Sequence, residues 1–346
     1  MSLRPATLSR EPAALSLAKI PGVQPSAALS AERGVLDTTL AMRHAGIRRL
    51  RIGWELQGAA DAPVAVVQGG ISAHRHVAAS TRFAEPGWWD AQCGEARAID
   101  TRSCRVLAID WIGADGSLDV CIDPADQADA IAAVLDHLGI VRIAAFIGAS
   151  YGAMVGLQFA ARHGARLARL VAISGAHRSH PQVTALRVIQ RRIVALGRSE
   201  GGVREALALA RSLAVIGYRS DDEFEQRFSA APEVGPDAAR FAVEDYFDAI
   251  GPKFVARFSP TAYLRLSESI DLQNLAPGSI RVPTDIVAVR EDRIVPEQDL
   301  YALAEGIRGN TRLHRISSLY GHDAFLKEEA QIASALTAAL CRSPAA

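Results

Sequence analysis

The sequence is poor in aromatic residues, contains little cysteine and carries no net charge. Phe, Trp and Tyr make up 6% of its 346 residues, and its four cysteines include no CxxC pair. Four thiols in a chain of this length do not make a disulfide framework, so we expect them to be reduced. The 38 basic side chains balance the 38 acidic ones. This balance argues against nucleic-acid or membrane binding through an overall positive field.

Long apolar segments are also missing. The longest uncharged run, residues 143–161, contains Gly, Ser and Gln and changes its period midway. It therefore indicates a strand, a turn and a helix rather than a membrane span. No apolar segment follows Arg4 and Arg10, as a secretory signal would require. We expect a cytoplasmic protein.

What is present is a hydrophobic content of 49%, mostly Ala, Leu, Val and Ile, which is ample for a sizeable core. Residues 1–33 carry four prolines and predict a flexible arm. After residue 48, short apolar runs alternate with amphipathic stretches, which is typical of a mostly parallel sheet with helices on both faces. The predicted strands are 64–67, 105–111, 143–147, 170–174 and 285–289, and the predicted helices are 124–138, 151–162 and 297–307.

The alternation stops between residues 177 and 279, where the pattern shows only helical patches, at 183–196, 203–216 and 241–254. Length alone allows two modest domains or one large domain with an insertion. A hundred helical residues between two core strands favour the second arrangement. We predict an α/β core formed by 34–176 and 280–346, with 177–279 inserted as a helical cap over the edge where α/β sheets bind ligands.

The most informative motif is the GxSxG sequence around Ser150, from Gly148 to Gly152. An apolar strand leads into it and an amphipathic helix follows, which is the setting of a nucleophile elbow in α/β hydrolases. Bulky side chains at the two glycines would collide with the adjoining strand and helix. A bare Gly-rich turn without chemistry is the alternative interpretation. We predict that Ser150 is a nucleophile at the N-terminus of a helix.

A serine hydroxyl needs a base that is held by an acid, in the chain order Ser, acid, His. Asp292 follows a predicted strand, and His322 precedes the final helix, so these two residues complete the predicted triad. Glu291 is the alternative acid. For the oxyanion, the backbone N–H of Tyr151 is one expected donor, and either Gly69 or Gly70 supplies the other. Neither metal-ligand spacing nor a phosphate-binding glycine loop occurs.

From about residue 34 to 340, the sequence resembles the MetX-type homoserine O-acyltransferases of the α/β-hydrolase superfamily. The resemblance rests on motifs distributed along the chain and not on the elbow alone. They are Trp88-Trp89-Asp90 with Ala98-Ile99-Asp100, the elbow 148–154, Ser174-Gly175-Ala176-His177 with Gln190-Arg191, Ala210-Arg211, Tyr218-Arg219-Ser220, and 321–326 (GHDAFL).

The resemblance implies that Ser150 accepts an acyl group from acyl-CoA and passes it to the hydroxyl of homoserine, a ping-pong sequence. It assigns the substrate carboxylate to Arg211 and the substrate amino group to Asp323. The simpler interpretation of Arg211 is a solvated arginine on a helix. The simpler interpretation of Asp323 is a negative charge at a helix N-terminus. Acyl-CoA is a co-substrate, and no cofactor or metal is implied. A homodimer formed through the cap is compatible with the resemblance.

Two departures from the family pattern bear on specificity. A shorter segment, 112–117, replaces a Gly-rich stretch, and Tyr151 stands where Met is usual. In the family, the residue two positions after the acid tends to be Arg in enzymes that use succinyl donors. In enzymes that use acetyl donors it tends to be apolar. Ile294 occupies this position and favours acetyl, whereas the neighbouring Arg293 keeps succinyl open. The alternatives to a homoserine O-acyltransferase are a serine O-acyltransferase, an esterase that uses water, and a non-catalytic ligand-binding α/β hydrolase.

Overall fold

The computed structural model describes residues 29–341, so most of the predicted arm lies outside the described residues. Its last part was assigned wrongly, because residues 29–33 begin the first strand. The strands are β1 Leu29–Met42, β2 Gly46–Ala59, β3 Val64–Gln68, β4 Cys93–Gly94, β5 Ile99–Asp100, β6 Arg105–Ile109, β7 Ala145–Ala149, β8 Leu170–Ile173, β9 Glu233–Val234, β10 Ala239–Arg240, β11 Thr284–Val289 and β12 Thr311–Ile316.

The helices follow the same alternation. They are α1 Pro124–His137, α2 Tyr151–Arg162, α3 Pro181–Ser199, α4 Val203–Tyr218, α5 Asp221–Phe228, α6 Ala242–Val255, α7 Pro260–Asp271, α8 Glu297–Gly306, α9 Ala324–Lys327 and α10 Glu329–Leu340. Short 3-10 turns lie at Gly164–Arg166, Pro277–Ser279 and Gly321–Asp323. None of the helices within residues 29–341 is long and apolar enough to cross a membrane.

Eight of these strands form one sheet in the order β1-β2-β6-β3-β7-β8-β11-β12. From β6 to β12 the neighbours are parallel, while β1 pairs with β2 and β2 pairs with β6 in the antiparallel sense. The mostly parallel α/β sheet expected from the sequence is therefore confirmed. The long hairpin at its edge was not predicted.

Two hydrophobic clusters cover the two faces of the sheet. One combines α1, α2 and α8 with the hairpin, through residues such as Ile131, Phe159 and Trp54. The other packs α10 and the loop around Trp89 on the opposite face. The start of α1 shows why the chain folds locally as it does, since Asp123 caps the helix and forms a capping box with Asp126.

Helices α3 to α7 occupy the chain between β8 and β11, within the interval that was predicted as a cap. Contrary to the expectation that this interval contains no strand, β9 and β10 pair as a short hairpin. All four of its strand residues are exposed. A hairpin that buries no side chain produces no hydrophobic alternation, so the sequence pattern does not reveal it.

Candidate active site

Ser150 lies at the sharp turn between strand β7 and helix α2. Its backbone has φ 56° and ψ −118°, a conformation that residues other than glycine rarely adopt. Its N–H donates to the carbonyl of Ile173 on the neighbouring strand at 2.8 Å. Its carbonyl accepts the N–H groups of Ala153 and Met154 at 3.0 and 3.2 Å, so the strained residue is fixed from both sides, as strained residues at functional sites usually are.

The two glycines of the elbow are required by close backbone contacts. A Cβ at Gly148 would lie 2.2 Å from the carbonyl oxygen of Gly152, and a Cβ at Gly152 would lie 2.2 Å from that of Gln68. Both contacts are with backbone atoms, which cannot move aside cheaply. The GxSxG pattern predicted from the sequence is therefore a steric requirement of this turn.

His322 and Asp292 lie next to Ser150, although 172 residues separate Ser150 from His322 in sequence. Nε2 of His322 is 2.8 Å from the Ser150 hydroxyl, and Nδ1 of His322 is 2.7 Å from Oδ2 of Asp292. The other carboxylate oxygen of Asp292 accepts the backbone N–H groups of Ile294 and Val295 at 2.8 and 2.9 Å. Serine, imidazole and carboxylate are thereby aligned for proton transfer.

The surroundings of His322 favour its protonated form. Burial of the ring works against the charge, but the charge of Asp292, the hydrogen bond to it and the charge of Asp323 together raise the pKa of His322 above its usual value. A base that binds a proton more firmly can take one from a hydroxyl more readily.

Glu291, the alternative acid, is directed elsewhere. Its carboxylate accepts the hydroxyl of Ser317 at 2.6 Å and the N–H of Ser318 at 2.7 Å. The carboxylate bonded to His322 is that of Asp292. Of the two acids that the sequence left open, the geometry favours Asp292.

The loop after β3 lies against the elbow. The N–H of Gly152 donates to the carbonyl of Gly69 at 2.8 Å, which ties the loop to the start of α2. Gly70 lines the cavity at Ser150, and a Cβ placed on it would lie 4.0 Å from that of Ser150. Gly70, rather than Gly69, therefore borders the side chain of Ser150 in the cavity, together with Tyr151 at the helix N-terminus.

A cavity of about 250 Å³ opens over Ser150, and helices α3, α4, α6 and α7 contribute to its wall. Both predicted substrate-binding residues line it. The Arg211 guanidinium lies over the rings of Tyr218 and Phe254, 5.3 and 5.1 Å from their centroids. Within residues 29–341 it has no carboxylate partner, whereas Asp323 is paired with Arg219 at 3.1 Å. The cavity thus offers one unpaired cation and one shared carboxylate.

The two neighbours of Asp292 that bear on donor choice point in different directions. Ile294 lines the cavity. Arg293 is largely exposed and forms an ion pair with Asp221 on the surface. Arg293, the residue that kept succinyl open in the sequence, therefore does not line the cavity.

Three residues at the site were not among the site residues predicted from the sequence. Trp111 donates its indole N–H to the carbonyl of Gly70 at 2.9 Å and so fixes the loop, and Arg219 holds Asp323. Arg187 lines the cavity from α3. A signal for it existed, because Val183, Arg187, Gln190 and Val194 recur at helical spacing on the buried face. The described residues contain no group of three or more His, Cys, Asp or Glu that could hold a metal.

Comparison with known proteins agrees with this geometry. A model of the α/β-hydrolase fold matches residues 84–329. The chain is 56% identical to a homoserine O-succinyltransferase from Xanthomonas campestris, over 90% of this chain and 84% of that protein. It belongs to the homoserine O-acyltransferase family. This assignment confirms both the fold class and the resemblance that were inferred from the motifs.

Other relatives show how far the family extends. A serine O-succinyltransferase from Xanthomonas campestris is 30% identical, over 88% of this chain and 96% of its own length. The crystal structure of a homoserine O-acetyltransferase from Bacillus anthracis matches with a TM-score of 0.83 at 16% identity, covering 92% of this chain and 99% of that one. At this identity the second match shows the fold alone. A homoserine O-acetyltransferase from Trichlorobacter lovleyi is 30% identical, over 80% of this chain and 87% of its own length, so the named relatives differ in donor and in acceptor.

Proposed function

We propose that the protein transfers an acyl group from acyl-CoA to the hydroxyl of L-homoserine through an acyl-serine intermediate. The observation that carries the proposal is the continuous contact from Ser150 through His322 to Asp292 in a cavity that also presents Arg211 and Asp323. An amino acid offers one anion and one cation to such a cavity, and the unpaired guanidinium and the carboxylate complement them.

In the first half-reaction, the Ser150 hydroxyl attacks the thioester carbonyl while His322 takes its proton. The N–H groups of Tyr151 and Gly70 stabilise the oxyanion. The carbon–sulfur bond then breaks, and His322 returns the proton to the departing CoA thiolate. In the second half-reaction, the homoserine hydroxyl attacks the acyl-serine, His322 takes that proton and returns it to Ser150, and O-acylhomoserine leaves.

A basic groove supports acyl-CoA as the donor. The groove has a volume of about 1270 Å³ and adjoins the cavity, with Trp88, Arg211 and Phe254 lining both. Besides Arg211, five cationic side chains line it, and among the described residues only Arg75 is paired with a carboxylate, that of Asp110. The others are Arg49, Arg51, Lys253 and Arg257. Unpaired cations of this density suit the phosphates of a nucleotide.

Serine is a second candidate acceptor, because a relative of this chain is a serine O-succinyltransferase. Serine has the same charged groups as homoserine but one methylene fewer, which changes the reach of its hydroxyl. A site of fixed geometry distinguishes such substrates mainly by how well the hydroxyl aligns with the acyl carbon.

The test is a matrix of donors and acceptors. Acetyl-CoA and succinyl-CoA are each combined with homoserine, serine or water alone, and release of the CoA thiol and the acylated product are measured. We expect stoichiometric thiol release without an acceptor and turnover with homoserine. Turnover that is equally fast without any amino acid would instead identify an esterase. Absence of thiol release with both donors would refute the proposal.

A further inference from the structure

Arg187 has no role in the reaction described above, yet it lies on the wall of the same cavity. Helix α3 buries it to 8% exposure in a stripe with Val183, Gln190 and Val194. Its positive charge acts to lower the pKa of His322, against the influences that raise it. A buried guanidinium so close to the reacting groups requires an explanation, because burying a charge is costly unless it is paired.

The pairing of Arg187 is incomplete. Its Nε and Nη2 donate to Oδ1 of Asp271 at 2.8 and 2.6 Å, and Nη2 also donates to the hydroxyl of Ser179. Nη1 has no hydrogen-bond partner among residues 29–341. Arg191 takes the other oxygen of Asp271 at 2.7 Å. Two guanidinium groups therefore share one carboxylate, which leaves one positive charge in excess.

The position of Arg187 indicates which part of a substrate would meet this charge. Arg187, Met154, Ile294 and Val295 line both the cavity and a small recess beyond it. Because Ile294 and Val295 lie two and three residues after Asp292 and donate their backbone N–H groups to it, this recess lies on the side of the cavity where the backbone holds Asp292. Arg211 lies on another helix, α4, and stacks on Tyr218 and Phe254. The two cations are thus available to two different anions.

We infer that Arg187 binds the distal carboxylate of a dicarboxylic acyl group, so that the preferred donor is succinyl-CoA. This inference rests on the proposed acyl-transfer function. An arginine held rigidly by Asp271 and Ser179, with its Nη1 amino group unused, is preorganised for a carboxylate. A relative that is 56% identical is a homoserine O-succinyltransferase, in agreement with such a donor. The excess charge of Arg187 outweighs the preference for acetyl that Ile294 suggests.

The first test uses the unaltered protein. Succinyl-CoA and butyryl-CoA have acyl chains of the same length, but only the succinyl group ends in a carboxylate. We expect kcat/KM for thiol release in the presence of homoserine to be at least about tenfold higher with succinyl-CoA, the effect of one charge-assisted hydrogen bond. Equal rates with the two donors would overturn the inference, and no release with any donor would refute the proposed function instead.

The second test compares two arginines that share Asp271. Arg187→Met should lower kcat/KM for succinyl-CoA by at least about tenfold relative to acetyl-CoA. Arg191 is the other partner of Asp271 but does not line the cavity. Arg191→Met should therefore leave the ratio of kcat/KM for succinyl-CoA to that for acetyl-CoA unchanged. If Arg187 had a purely structural role, Arg187→Met would lower kcat/KM equally for the two donors. That result would contradict the inference. If Arg187→Met does not fold, Arg187→Lys retains the charge and should lower the ratio less.

Discussion

The carboxylate of Asp323 lies 3.1 Å from Nη2 of Arg219, so a group on the wall of the reaction cavity is already ion-paired within the chain. Arg219 also contacts Glu223 at 3.2 Å, and Glu223 in turn contacts Arg227 at 3.1 Å. Positive and negative charges are balanced in this group before any substrate binds. A substrate ammonium would therefore share Asp323 with Arg219 rather than meet an isolated anion.

Replacing Asp323 separates amino-acid binding from the acyl-transfer chemistry. We expect Asp323→Asn to raise KM for homoserine by about tenfold or more, because a charge-assisted hydrogen bond to the ammonium is lost. Release of CoA in the absence of homoserine should change much less. Steady-state kinetics and single-turnover thiol release measure the two effects. Glu223→Gln is the control, since Glu223 belongs to the same charge group but does not line the cavity.

The strained backbone of Ser150 predicts that a glycine at this position gives a more stable protein than an alanine, although both variants are inactive. Ser150→Ala and Ser150→Gly both remove the nucleophile, and each should lower kcat by at least about 1000-fold. Glycine adopts φ 56° without strain, so Ser150→Gly should unfold with a free energy about 1 kcal/mol higher than Ser150→Ala. Denaturant melts of the two variants measure the difference. A more stable alanine variant would contradict this explanation of the strain.

The raised pKa of His322 predicts the acid limb of the pH profile. The base must be neutral, so kcat/KM should rise with pH through a midpoint above 6.5, the ordinary pKa of histidine. Stability moves the other way: the contribution of the charged imidazole is fully present below pH 6.5 and is lost as the pH rises through the raised pKa.

Asp292→Asn tests the cause of this shift, because the charge of Asp292 is the largest influence that raises the pKa. The variant should titrate His322 at a lower pH and lose about 10,000-fold in kcat. Histidine NMR signals followed against pH give the first quantity. A midpoint in the parent protein at or below 6.5 would show that burial, not Asp292, dominates.

Arg211 is expected to contribute to binding without contributing much to stability. Because it has no ion pair within the described chain, Arg211→Met keeps its packing on Tyr218 and Phe254 and should change the free energy of unfolding by less than about 0.5 kcal/mol. KM for homoserine should rise by tenfold or more. Thermal melts and kinetics of the same preparation test both statements. A destabilised variant with unchanged KM would make Arg211 a structural residue.

Local sequence patterns predicted those parts of the fold in which burial repeats regularly. The helix after Ser150 spans Tyr151–Arg162, as predicted, because it is apolar and follows a buried strand. The β1–β2 hairpin was not predicted, since polar or charged residues interrupt both strands and neither contains a continuous apolar run. The alternation at Leu50, Ile52, Trp54 and Leu56, all buried, was the available signal.

The candidate site shows the same division. Ser150, His322 and the acid could be named from the sequence because each follows a strand in a fixed chain order. The sequence favoured Asp292 but left Glu291 open as the acid, and the direction of each carboxylate in space distinguishes the two. Arg187 and Trp111 depend on contacts with Asp271 and Gly70, which are distant in sequence. The helical spacing of Arg187 signals that it is buried, but the identity of its partner, like that of Trp111, is set by the tertiary fold and leaves no pattern in the sequence.

The basic groove joins two parts of the chain that are about 200 residues apart. Arg49 and Arg51 belong to the edge hairpin, whereas Lys253 and Arg257 lie in or next to helix α6 of the cap. A polyphosphate that contacts both walls would act as a reversible crosslink between hairpin and cap. Its binding free energy would then add to the cost of lifting the cap. In the proposed reaction, the enclosure would be firmest while acyl-CoA is bound and would loosen once CoA departs, before the amino acid enters.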